Sequence, residues 1–126
     1  MDHRRWLNVT RSRRDYLQRS GQISGRPLEA VIEVSARCNL RCIMCPITHD
    51  TRYSSKSGRP ALLQRETFAR LTPLFPTLLK ATLSGLGEPT IHPHLDEFVG
   101  KLADAGVETS FTTNPHISPQ DLKRAP

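Results

Sequence analysis

The sequence predicts an α/β protein in which a parallel sheet is wound with helical crossovers, as in a (β/α) barrel or a doubly wound fold. Three observations carry this expectation. Short runs rich in β-branched residues alternate with segments of helical periodicity, in the order β-α-β-α-β. Each apolar run leads directly into a loop of unusual composition. The 126 residues allow one domain with one modest core.

Residues 1–26 form a basic arm. Seven arginines against Asp2 and Asp15 give it a charge of +5, which leaves only +1 of the chain's +6 for residues 27–126. The arm could meet phosphate, with Trp6 and Tyr16 stacking on bases. No defined nucleic-acid motif accompanies it, so the favoured expectation is a helix packed outside the sheet through Trp6, Val9 and Leu17. Asp2 and Asp15 argue against an organelle transit peptide, and no signal-like apolar stretch or long apolar run appears. A cytoplasmic location and no membrane contact are expected.

Gly21, Gly25 and Pro27 mark a linker. Residues 28–34 (Leu-Glu-Ala-Val-Ile-Glu-Val) read as the first strand. Residues 48–60 are polar and irregular. A helix is expected over about 63–72, with Phe68, Leu71 and Phe75 on one face, ended by Pro73 and Pro76. Residues 79–84 read as the second strand. Pro93 opens a second helix, with Asp96 and Glu97 in its first turn, where negative charge suits the helix dipole. Leu95, Phe98, Val99, Leu102 and Ala103 form its apolar stripe, and Gly106 stops it. Residues 107–112 read as the third strand, and 118–121 as the cap of a further helix. His92, His94 and His116 lie in Pro-containing loops and read as surface residues.

Because ligands of such sheets bind outside the carboxyl ends of the strands, the three loops should share one face. The first holds every cysteine of the chain: Cys38, Cys42 and Cys45, spaced C-x3-C-x2-C. Three is odd and too few for a disulfide framework. Zinc bound by these thiolates and His49 is a competing reading, although zinc ligands usually come in two separated clips. Closely spaced thiolates that leave a fourth position open point to an iron–sulfur cluster. Arg41 and the polar residues beyond Pro46 argue for an exposed loop of reactive thiolates over three inert buried ones.

The cysteine loop directly after the first strand resembles the cluster loop of the radical S-adenosylmethionine (SAM) superfamily. Ser84-Gly85-Leu86-Gly87-Glu88-Pro89 resembles its Gly-Gly-Glu-Pro-like loop after the second strand, and Thr113-Asn114 its Thr-Asn turn after the third. The likeness covers about 28–114. It implies a partial (β/α) barrel of radical SAM type with about three β/α units, half of the usual six or so. It implies that Cys38, Cys42 and Cys45 hold a 4Fe–4S cluster whose fourth iron takes the methionine portion of SAM. Gly85, Gly87, Glu88, Pro89 and Asn114 would contact SAM, with Gly87 and Glu88 at the methionine amino group. Met44 stands where the family often has an aromatic near the adenine, a soft substitution. An electron donor such as flavodoxin or ferredoxin is implied. Residues 27–126 are expected as a truncated core: a shortened reading frame, a half completed by a second chain, or a diverged small protein. The alternative function is a non-catalytic iron–sulfur or zinc module whose basic arm binds RNA or a protein. The intact Gly-Glu-Pro loop argues for enzyme ancestry, since a cluster carrier needs no methionine-amine site.

Overall fold

The computed structural model describes residues 2–19, 21–53, 60–114 and 116. Strands β1 (Glu29–Val31), β2 (Lys80–Thr82) and β3 (Glu108–Ser110) form one sheet in the order β1-β2-β3. Both pairings are parallel, and Ala30, Ala81 and Thr109 lie side by side. The expected β-α-β-α-β order holds. The strands are shorter than the apolar runs, yet pairing continues past them: Ser84 N–H donates to Ile32 O and Leu83 N–H to Ser110 O.

The core lies on one sheet face. Ile32, Val34, Ala81, Leu83 and Val107 are buried against Phe68, Phe75, Leu78, Phe98 and Leu102. Phe68 stacks on Phe98 at 4.1 Å and meets Phe75 edge-on at 5.7 Å. The period-2 alternation of a strand sends the intervening residues to the other face. There Glu29, Lys80 and Glu108 share one register row, and Thr82 and Ser110 share the next. Their hydroxyls lie 3.3 Å apart.

The first crossover begins with α2 (Pro46–His49), directly after Cys45, with proline in its first turn. Part of the 48–60 stretch lies outside the described residues, as does the expected cap at 118–121. The predicted helix over 63–72 splits into α3 (Arg65–Ala69) and a 3₁₀ segment, Thr72–Thr77. Pro73 and Pro76 cannot donate i→i−4 bonds, so the chain tightens instead of continuing the α-helix. Helix α4 (Leu95–Asp104) starts two residues after Pro93, and Gly106 ends it at φ +69°, a conformation that favours glycine.

Helix α1 (His3–Leu17) departs from expectation. Trp6 is 53% exposed and Leu17 68% exposed, so the predicted apolar face is not what docks it. Arg5, Asn8 and Asp15 are buried instead. The Arg5 guanidinium donates to the carbonyls of Leu78, Phe75 and Ala105. Leu78 and Ala105 cap the 3₁₀ segment and α4, where carbonyls run out of intrahelical donors, and Phe75 O also accepts from Leu78 N–H. Asn8 exchanges two hydrogen bonds with the Arg26 backbone (3.1 and 2.7 Å). The Asp15 carboxylate accepts from the Ser24 hydroxyl and from the Ser24 and Gly25 amides, which together hold it below its ordinary range. Among the described residues, no helix is long and apolar enough to cross a membrane.

Candidate cofactor site

β1 delivers the chain into the cysteine loop through a turn in which the Ser35 hydroxyl donates to Arg37 O and accepts from Arg37 N–H. Cys42 is exposed, Cys38 and Cys45 are partly so, and all three are free thiols. The Leu40 N–H points at Cys38 Sγ (3.4 Å), and Cys45 N–H donates to Cys42 O (3.1 Å). Ile43 and Met44 are exposed between the last two cysteines. His49 Nε2 lies 2.7 Å from Ile43 O, so its ring is already engaged within the loop. Among the described residues, no three His, Cys, Asp or Glu side chains converge on one ion-sized position. The structure therefore shows three free thiols within one exposed loop, with the Leu40 amide aimed at one sulfur.

The loop after β2 lies against the exit of β1, and its glycines make this possible. A Cβ on Gly85 would come within 2.4 Å of the Glu33 carboxylate, which accepts from Leu86 N–H at 2.7 Å. A Cβ on Gly87 would stand 2.1 Å from Ser35 O and 2.5 Å from Arg37 O. Glu88 N–H then donates to Arg37 O at 2.7 Å. The next residue, Pro89, is buried and opens a short 3₁₀ turn, Pro89–Ile91.

Glu88 is 4% exposed. Its Oε1 accepts from Thr90 N–H, the Thr90 hydroxyl and the Thr113 hydroxyl. Its Oε2 accepts from the backbone and side-chain amides of Asn114, both at 2.8 Å. Burial pushes its pKa up, but donors from Thr113, Asn114 and Thr90 outweigh this and hold it below the ordinary carboxylate value. Asn114 Nδ2 also reaches Asn39 Oδ1 at 2.8 Å and stands 4.0 Å from Cys38 Sγ. Asn39 Nδ2 donates to His116 O. The cysteine loop, the Gly85–Glu88 loop and the segment after β3 therefore meet at one end of the sheet, as expected for strand carboxyl ends.

Sequence reasoning missed Glu33, Asn39 and Thr90, which hold these loops together. It also read His92 as a surface residue, whereas the structure buries it to 2% exposure. Its Nε2 meets Leu63 O, its Nδ1 accepts from His94 N–H, and the ring packs on Phe98. Leu63 N–H donates in turn to Val34 O, so His92 braces the segment beneath the cysteine loop. His116 is exposed, as expected.

A three-stranded parallel β/α sheet with a three-thiol loop at the carboxyl ends of its strands is the architecture of part of a (β/α) barrel. The chain belongs to the radical SAM superfamily, whose pattern matches residues 32–125. It is 30% identical over 86 residues to the tungsten-containing aldehyde ferredoxin oxidoreductase cofactor-modifying protein of Pyrococcus furiosus, covering 66% of this chain and 22% of that protein. In fold it is similar to BtrN, crystallised with AdoMet and 2-DOIA, with a TM-score of 0.58 and 20% identity over 77% of this chain and 40% of that one. It is also similar to Streptococcus suis SuiB bound to S-adenosylmethionine, with a TM-score of 0.61 and 24% identity over 94% of this chain and 26% of that one. The chain thus spans between 22% and 40% of the length of these relatives.

Proposed function

We propose that this chain binds a 4Fe–4S cluster through Cys38, Cys42 and Cys45 and binds SAM beside it, as a radical SAM protein or part of one. Residues 27–126 carry this core, with 1–26 as its arm. The observation that carries the reading is the junction at Asn114, whose amide lies within reach of both Cys38 and Glu88. A cluster ligand and the candidate methionine-amine loop are thereby neighbours.

A cluster held by Cys38, Cys42 and Cys45 would, once reduced by a donor of flavodoxin or ferredoxin type, supply the single electron for reductive cleavage of SAM and so give access to radical chemistry on a substrate. The chain's own residues orient and shield. Gly85 leaves room for the Glu33 carboxylate, and Gly87 lets the loop backbone close on Ser35 and Arg37 at the start of the cysteine loop. The loop's carbonyls are suited to accept from the methionine ammonium. The two Glu88 oxygens already take five donors against about four lone-pair sites. An ammonium group therefore bonds to it only by displacing one of them, and Glu88 acts chiefly by fixing the loop. Met44, exposed beside Cys45, is free to lie against the adenine. A cytoplasmic setting is consistent with three free thiols.

The test is iron and sulfide content after anaerobic reconstitution, with electron paramagnetic resonance of the reduced protein with and without SAM. About four irons per chain and a spectrum altered by SAM are expected. Cys42→Ala should abolish cluster binding. A stable cluster indifferent to SAM would refute SAM binding, and retention of zinc in place of iron would point to the metal-module alternative.

A further inference from the structure

A second surface lies at the opposite end of the sheet. Arg5 and Asn8 hold α1 against carbonyls of Phe75, Leu78 and Thr77, just before β2, and Asn8 also holds Arg26, just before β1. The cysteine loop leaves the other end of β1. Between the last turns of α1 and the returning segment 21–27 runs a groove of about 950 Å³.

The walls of this groove are fixed by the fold. Asp15 grips the Ser24 and Gly25 amides at 2.6 and 3.0 Å. A Cβ on Gly25 would stand 2.2 Å from Ser12 Oγ, so the returning segment lies directly on the helix. The lips are apolar: Tyr16 is 83% exposed and Ile23 81% exposed, with Leu17 beside them. Large apolar side chains gathered on one exposed strip mark interaction surfaces more often than scattered ones do. Arg19 and Arg26 line the same groove and are exposed. They belong to the segment that carries nearly all of the chain's net charge. The one acid in the lining, Asp15, is turned to the Ser24 and Gly25 donors and paired with Arg14 at 3.6 Å, which leaves Arg19 and Arg26 to set the sign of the groove.

We propose that this groove docks a protein segment in which carboxylates flank apolar anchor residues. Charge complementarity selects the acidic partner, and the apolar lips select a peptide over a bare polyanion. Tyr16, Leu17 and Ile23 receive the anchors, while Arg19 and Arg26 pair with the flanking acids. Docking there leaves the cofactor site open, because the two surfaces lie at opposite ends of the strands.

The test uses the full chain and a fluorescein-labelled synthetic peptide, Glu-rich with leucines at i, i+3, i+4 and i+7, read by fluorescence anisotropy. A Lys-rich counterpart and a single-stranded RNA serve as competing probes. The Glu-rich peptide should bind with a dissociation constant of about 1–100 μM, weakening as salt rises. Arg19→Glu combined with Arg26→Glu should weaken it by about tenfold or more, and Ile23→Asp should weaken it independently. Arg26 meets Asn8 through its backbone alone, which a side-chain substitution leaves in place, so circular dichroism and the thermal midpoint should stay near those of the parent. Three results would each overturn the proposal: no peptide binding at about 1 mM, binding unaffected by the variants, or RNA binding in place of the peptide.

Discussion

Replacing Glu88 with glutamine keeps the shape of the side chain and removes its charge, so it isolates what the carboxylate does. A glutamine has one acceptor oxygen and one NH₂ group to put where two oxygens were. The Oε2 side faces two amide donors of Asn114, which cannot reverse. The Oε1 side faces two hydroxyls, on Thr90 and Thr113, which can turn round and accept, and one amide, Thr90 N–H, which cannot. The best arrangement therefore puts the new NH₂ on the Oε1 side and strands a single donor. One buried unpaired amide costs about 1–3 kcal/mol, and the surviving bonds lose the strength that charge gave them, roughly half. Glu88→Gln should lose about 2–4 kcal/mol, and Glu88→Ala, which strands every donor, should lose more. Urea unfolding at constant m-value reads this directly. The acid limb gives a second reading. The folded carboxyl titrates below its ordinary 4.5, so its stability is present above that pH and fades as pH falls further. That fading should vanish in Glu88→Gln. A variant within about 0.5 kcal/mol of the parent would refute the argument, and would mean the carboxylate is available to bind ligand directly.

Arg5→Ala should destabilise the chain by about 3 kcal/mol or more, since three carbonyls lose a charged donor, and the urea midpoint should fall accordingly. Gly87→Ala forces a methyl toward Ser35 O, so it should cost about 1–3 kcal/mol and lower iron uptake on reconstitution, measured as iron per chain. His92 is held neutral by burial, and its folded pKa lies below the ordinary 6.5. The unfolded chain therefore binds more protons near and below pH 6.5, and stability should fall as pH drops through that region. A His92→Gln variant should flatten this slope in unfolding curves taken across the range.

The order of elements was legible because each strand carries β-branched residues and α4 a clean apolar stripe. Phe98 and Leu102 sit where the stripe put them, fully buried. The meeting of the three loops was legible too, because parallel topology fixes which strand ends lie together. The docking of α1 was not. Its contacts come from Arg5, Asn8 and Asp15, polar residues whose partners are backbone groups as far away as Ala105. Periodicity counts apolar positions and is blind to a helix held by capping other helices' ends. His92 was misread for a related reason: its partners are Leu63 O and the His94 amide, and neither leaves a mark in composition. Glu33 and Asn39 follow the same rule, since each acts through a backbone amide, a carbonyl or another amide side chain across the site.

The single guanidinium of Arg5 also has a kinetic meaning. It joins a helix near the start of the chain to a carbonyl 100 residues further on. Contacts of such separation form only after the intervening loop has closed, which makes them late events in folding. The sheet and its two crossovers can assemble from nearer neighbours, with α1 locking onto them last. Interactions absent from the transition state chiefly govern how fast a protein unfolds. Arg5 should therefore behave as a latch: its loss would speed unfolding and leave the folding rate almost unchanged.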